Sequence, residues 1–183
     1  KRPTVPPEAY RPFAPDADGV PPMSAFGEPY LLRINSSMHG PDGFTNSDPD
    51  NAARVIQRFF SKIERRREAV TFTRGYHTED AQILLVACGY TARVARAAVR
   101  QLREQGVRAG LFQPLTLWPF PADELVAAAR SAETVVVPEM NMGQLVYEVE
   151  RILKDRPVVS LPKSNGRPFL IGELVAQVGE VCS

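Results

Sequence analysis

The residues best equipped for chemistry in this 183-residue chain fall in two short stretches between Gln113 and Val146. Glu139-Met140-Asn141-Met142-Gly143-Gln144 supplies a carboxylate, an amide and a glycine immediately before a helical pattern. A carboxylate at the end of an apolar strand is desolvated, which raises its pKa unless hydrogen-bond donors hold it charged. The backbone amides from Asn141 to Gly143 and the Asn141 side chain are the expected donors. Glu139 then has three open roles: a loop or subunit contact, a cap on the following helix, or direct catalysis. The first is preferred to the second, and catalysis is the least favoured. The companion stretch is Thr116-Leu117-Trp118-Pro119-Phe120-Pro121. Pro119 and Pro121 bracket Phe120, fix two φ angles and lead into a helix, so Trp118 and Phe120 are held in place. Trp118, Phe120, Glu139, Asn141, Gly143 and Gln144 together make a candidate interface or loop-edge site, with no catalytic, cofactor-binding or metal-binding residue assigned.

Other chemistries meet plainer explanations. Gly89 follows an apolar strand and precedes a helix, a place where phosphate can bind. Tyr90 and Ala92 stand where a dinucleotide fold would need glycine, so a capped crossover helix is the better account. Arg93, Arg96, Arg100 and Arg103 recur at three- and four-residue spacing, opposite Val94, Ala95, Ala98, Val99 and Leu102. Such a stripe would suit an acidic partner or a phosphate-bearing ligand, but a solvated outer face is the preferred reading. His39 and His77 lie in polar loops and have no second histidine or cysteine at ligand spacing, which disfavours a metal. No Gly-x-Ser-x-Gly elbow is present. The two cysteines, Cys88 in an apolar strand and Cys182 at the tail, are too few for an iron–sulfur or zinc site. A disulfide between them is disfavoured, and a reducing cytoplasm is expected.

These residues require a scaffold of alternating strands and helices. Strands are expected at Val70–Arg74, Gln82–Cys88, Val107–Phe112, Thr134–Glu139 and Val158–Leu161. Between and after them lie helices at Thr91–Gln105, capped by Thr91 and stopped by Gly106, and near 122–130, 143–153 and 170–178. Apolar strands spaced by such helices imply parallel pairing, right-handed crossovers and helices on both faces. Upstream, the prolines of residues 1–30 exclude helix and suggest a linker lying across a surface. A short strand is expected at Tyr30–Asn35 and a loop at 36–48. Ser47 or Asp48 then caps a helix with Ala52, Ile56, Phe59, Phe60 and Ile63 on one face, closed by Arg65, Arg66 and Arg67. The organisation is thus 1–47 linker, 48–69 connecting helix and 70–183 α/β domain. A net charge of +1 argues against a nucleic-acid surface, and no apolar run is long enough to span a membrane. The start at Lys1, without a methionine or a signal core, reads as part of a longer polypeptide.

The stretches 116–121 and 139–144, with Lys163-Ser164-Asn165-Gly166, Pro168-Phe169 and, more weakly, Asp18-Gly19-Val20-Pro21-Pro22, resemble the carboxyl-terminal part of the alpha subunit of the 2-oxoacid:ferredoxin oxidoreductases, the 2-oxoglutarate synthase group. The resemblance implies a three-layer α/β fold like the transketolase carboxyl-terminal domain, Rossmann-like. Preceding it would come a linker and the end of a pyrimidine-binding-type domain. It also implies membership of a multisubunit enzyme that oxidatively decarboxylates a 2-oxoacid to acyl-CoA. Thiamine diphosphate, magnesium and iron–sulfur clusters would serve the whole enzyme and none would be bound by this chain alone. The implied partners are the beta subunit, the upstream part of the alpha subunit and ferredoxin as electron acceptor, in an oligomer. The family's Gly-Asp-Gly and Tyr-Pro-Ile-Thr-Pro type motifs are not in this sequence. His39-Gly40-Pro41-Asp42-Gly43 departs from a His-Asp-Glu-x-Gly type stretch by lacking the glutamate. The alternative is a non-catalytic α/β interaction or small-molecule-binding module.

Overall fold

The structure, a computed structural model, describes residues 1–35 and 37–181, so Cys182 and its partnership with Cys88 lie outside the described residues. The chain divides into two compact units, Lys1–Ala69 and Val70–Ser183.

In the first unit the proline-rich segment admits one 3₁₀ turn, Pro7–Ala9, with proline at its start. The segment is anchored locally. Tyr10 is buried, its hydroxyl donates to Pro22 O at 3.1 Å and accepts from Ser24 N at 3.3 Å, and Phe13 N donates to Pro41 O at 2.9 Å. Residues Tyr30–Asn35 do not form the expected strand; among the described residues of this unit an isolated bridge joins His39 to Thr45. Without a neighbouring ladder, an extended run has nowhere to place its backbone hydrogen bonds. Helix α1 runs Pro49–Glu64, and Asp48 caps it by accepting from Asn51 N at 2.9 Å. A short α2, Arg67–Val70, follows.

The second unit carries a five-stranded sheet. Its strands are β1 Thr73–Tyr76, β2 Ile83–Val86, β3 Ala109–Pro114, β4 Thr134–Glu139 and β5 Val158–Pro162, in the order β1-β3-β2-β4-β5. Its helices are α3 Gly89–Glu104, α4 Ala122–Ala128, α5 Leu145–Ile152 and α6 Ile171–Val181. Strands β2 to β5 are parallel, whereas β1 pairs antiparallel with β3. The expectation of parallel pairing therefore needs correction at this edge. A parallel connection needs about a dozen residues for its crossover, and the short link from His77 to Gln82 holds no helix.

Period-two alternation explains the layers. Leu85, Ala87, Leu111 and Val136 face one way and join Ala95, Leu102, Leu174 and Val178 of α3 and α6. Leu84, Val86, Phe112, Val135 and Val137 face the other way and join Leu125 of α4 with Val146 and Val149 of α5. Both faces of β2 are buried, hence its unbroken Ile-Leu-Leu-Val run. Thr91 is not the cap of α3. Cys88 holds that position, and Thr91 is buried within the first turn, because Gly89 already takes up the sharp turn with φ +55°.

Strand β3 tolerates only glycine at one point. A Cβ on Gly110 would overlap His77 O and lie 2.8 Å from Ala81 Cβ. Gly110→Ala is expected to destabilise the domain by about 1–3 kcal/mol through overpacking. Gly179→Ala, with open space in α6, should stabilise it by about 0.5–1 kcal/mol. Denaturant unfolding of the two variants checks both signs.

Candidate functional site

The strand order creates one topological switch point. From β2 the chain passes through α3 to β3 on one side, then returns through α4 to β4 on the other side of β2. Helix α3 lies on one face of the sheet, and α4 and α5 lie on the other. The loops leaving β2 and β4 therefore diverge and open a crevice at the carboxyl ends of these neighbouring strands, where folds of this kind place ligands or contacts. The first of these loops carries Cys88, and the second leaves β4 at Glu139.

Glu139 is 5% exposed, and its carboxylate turns into the start of α5. Its oxygens accept from Gln144 N at 3.0 Å and 3.2 Å, Leu145 N at 2.7 Å and Val146 N at 2.9 Å. Three of the backbone donors that a helix start leaves unpaired are thus satisfied by one side chain. The donors lie later in the chain than the expected Asn141–Gly143 amides, because α5 starts at Leu145 rather than Gly143. The Asn141 amide does not reach Glu139; its Oδ1 accepts from Gly143 N at 2.7 Å and closes a local turn. That turn puts Gly143 at φ +101°, a conformation suited to glycine.

The main chain of Glu139 reaches the next strand, its carbonyl accepting from Lys163 N at 2.8 Å. Lys163 Nζ pairs with both Glu173 oxygens at 2.5 Å and 2.6 Å and donates to Pro168 O at 3.2 Å. Glu173 also accepts from Leu170 N at 3.2 Å at the start of α6. Lys163 therefore clamps the Lys163–Phe169 turn to the helix after it. The paired ammonium, and then the Leu170 amide, hold the Glu173 carboxyl below the usual glutamate range.

In the other loop Phe120 enters the core beside Leu125, while Trp118 is 61% exposed. Phe120 fastens the loop from below and Trp118 faces outward. Leu117, Tyr90, Met140, Met142 and Leu170 are exposed as well, and the Ser164 hydroxyl meets Met142 Sδ at 3.0 Å. They follow or precede structure at the carboxyl ends of β3, β2, β4 and β5, so exposed apolar side chains recur at the same end of the parallel strands. Sequence reasoning selected Trp118 and passed over Leu117, Tyr90, Met140 and Met142. Their signal was unusually large apolar side chains in loops dense with proline, glycine and asparagine.

The Glu139 carboxylate already occupies the anion-attracting start of α5 and would repel a second anion. Burial, with the Glu139 charge added, pushes the Cys88 thiol above its ordinary range, so it stays protonated. Among the described residues no group of three or more His, Cys, Asp or Glu could hold a metal ion, and no helix is long and apolar enough to cross a membrane. Within the arginine stripe, Arg103 pairs with Asp80 at 2.6 Å and donates to Ala109 O at 2.6 Å, while Arg96 lies 4.2 Å over the Tyr76 ring. Arg93 and Arg100 are exposed.

A mostly parallel five-stranded sheet between two helix layers, with its loop edge at the switch point, is a transketolase-like α/β domain. It resembles a solved split-gene transketolase, an inactive beta4 tetramer, with a TM-score of 0.50 and 25% identity over 58% of this chain and 41% of that one. The chain belongs to the pyruvate:ferredoxin oxidoreductase core domain II family, whose model matches residues 81–173. Over 166 residues it is 40% identical to the 2-oxoglutarate synthase subunit KorA of Methanothermobacter thermautotrophicus, covering 90% of this chain and 44% of that relative. The solved 2-oxoglutarate:ferredoxin oxidoreductase from Magnetococcus marinus, with 2-oxoglutarate, coenzyme A and succinyl-CoA bound, matches 95% of this chain and 31% of its own. The TM-score is 0.78 and the identity 26%. The chain spans about half the length of the curated 2-oxoglutarate synthase relatives it matches.

Two predictions arise from the capping network. Glu139→Ala leaves three backbone donors without acceptors and should cost about 2–3 kcal/mol of domain stability, with Glu139→Gln intermediate and Asn141→Ala below about 1 kcal/mol; thermal unfolding ranks them. The second concerns pH. A carboxyl whose folded pKa is lowered stabilises above its unfolded pKa, and that stability is lost as pH falls through the folded value. The stability gap between the native chain and Glu173→Gln should therefore be widest near neutral pH and close in acid, as chemical denaturation across pH would show.

Proposed function

We propose that this chain is part of the alpha subunit of a thiamine-diphosphate-dependent 2-oxoacid:ferredoxin oxidoreductase, and that 2-oxoglutarate is its 2-oxoacid. In this reading the whole enzyme decarboxylates the 2-oxoacid, passes electrons through iron–sulfur clusters to ferredoxin and delivers the acyl group to coenzyme A in the cytoplasm. Support comes from family membership and from the likeness to 2-oxoglutarate synthase subunits and to the solved 2-oxoglutarate:ferredoxin oxidoreductase. The domain itself takes the role of a scaffold whose loop edge meets the beta subunit and the rest of the alpha subunit.

The observation that carries the scaffolding role is the division of labour at the edge. Phe120 and Glu139 are buried and spent on holding their own loops. Leu117, Trp118, Met140 and Met142 are left exposed, and large apolar side chains exposed at one end of a sheet suit a protein contact. The buried pair supplies rigidity, which lowers the ordering cost of association.

The test is made in the assembled enzyme. Leu117→Asp combined with Met142→Asp should dissociate or weaken the complex in size-exclusion chromatography and lower 2-oxoglutarate-dependent ferredoxin reduction about tenfold or more, while unfolding of the domain stays within about 1 kcal/mol of the native chain. Full assembly and activity in the double variant would refute the contact edge. Turnover of pyruvate but not 2-oxoglutarate by the native enzyme would refute the substrate and leave the scaffold role standing.

A further inference from the structure

The amino-terminal unit contains a cavity of about 350 Å³ that the oxidoreductase reading does not use. Its volume is that of a small-molecule site. Arg54 and Arg58 are one turn apart on α1 and line it together with Val55, and Phe13, His39 and Asn46 close the other side. The walls supply two cations, Arg58 anchored and Arg54 exposed, with an imidazole and an amide against apolar surface, and among the described residues no carboxylate lines them. The carboxylates of the neighbouring loop are spent on the backbone: Asp42 accepts from Phe44 N at 3.0 Å and Asp48 from Asn51 N at 2.9 Å.

The second observation is orphaned polarity. His39 Nδ1 and Arg58 Nε are both buried without a hydrogen-bond partner among the described residues. Burying such atoms unpaired is costly, and both belong to side chains that line the cavity, so an acceptor entering there that draws Arg58 or His39 toward it would recover part of that cost. The remaining geometry holds Arg58 and His39 in place. Arg58 Nη1 donates to Phe13 O at 3.1 Å, and the Phe13 and His39 rings stack at 3.7 Å between centroids. Asn51 Nδ2 holds the loop by donating to His39 O and Asn46 O, each at 3.2 Å. Burial also lowers the Arg58 pKa from a value so high that the guanidinium keeps its charge.

We propose that this cavity binds a small oxyanion, a carboxylate or phosphate on a compact organic body, held by Arg54, Arg58 and His39 with the body against Phe13 and Val55. Arg58 and Arg54 would supply charge-assisted hydrogen bonds to the oxyanion and His39 an N–H. The site lies wholly within Lys1–Ala69, so it stands or falls independently of the contact edge.

Inorganic phosphate and benzoate serve as probes, titrated separately into the 183-residue chain at constant ionic strength. Binding is followed by nuclear magnetic resonance of the arginine Nε–H groups and the His39 ring. Saturable binding of at least one probe is expected, with a Kd of about 1 mM or tighter. Phosphate alone identifies a phosphate site, and benzoate alone identifies a carboxylate site. Arg54→Gln and Arg58→Gln should each weaken it about tenfold, and Arg65→Gln, outside the cavity, should not. Arg54 is exposed and outside the core, so its variant reports even if Arg58→Gln unfolds. Absence of saturation by either probe overturns the proposal. So does binding that Arg54→Gln leaves unchanged, or that Arg65→Gln weakens equally.

Discussion

The carboxyl edge of the sheet depends on one carboxylate. Glu139 closes β4, and by accepting from Gln144, Leu145 and Val146 it fixes where α5 begins. Its carbonyl accepts from Lys163 N beyond the end of β5, and the side chain of Lys163 in turn fixes the start of α6 through Glu173. Two strands and two helices are thus registered by a short chain of hydrogen bonds, of which those to the Glu139 and Glu173 carboxylates are charge-assisted. Burial of such a charge is tolerable only because backbone dipoles surround it. The same occupation removes the α5 start from the places where an anionic ligand can sit, so the most polar feature of the edge is structural.

The core of the α/β domain was legible because burial imposes pattern. Strands buried on both faces read as apolar runs, and their separation by helices gives parallel pairing, as at Ile83–Val86 and Thr134–Glu139. Pattern failed where local geometry decides. The antiparallel sense of β1 depends on a connection too short for a crossover, and the cap of α3 depends on the backbone freedom of Gly89, neither of which hydropathy records. Tyr30–Asn35 has the composition of a strand but no ladder to join.

At the candidate site the residue types pointed to the right loops but not to the division of tasks within them. Trp118 and Phe120 look equivalent in sequence, yet one is exposed and one is core, because prolines flanking an aromatic fix the path of the chain and not which side chain turns inward. Glu139 likewise leaves contact, cap and catalysis open in the sequence until its three donors are located. His39 and Arg58 are far apart in sequence, and only folding of the proline-rich unit shows both opening on one cavity.

The two outer strands determine how such a domain can be joined to others. Strand β1 is four residues long and carries Arg74, and β5 is preceded by Pro157 and ends in Pro162. Short, charged or proline-flanked edges discourage sheet-to-sheet addition. The loop-bearing carboxyl end of the sheet is free of that constraint. Side chains there can be exchanged without breaking a backbone ladder, so surfaces matched to different neighbours can diversify over an unchanged frame.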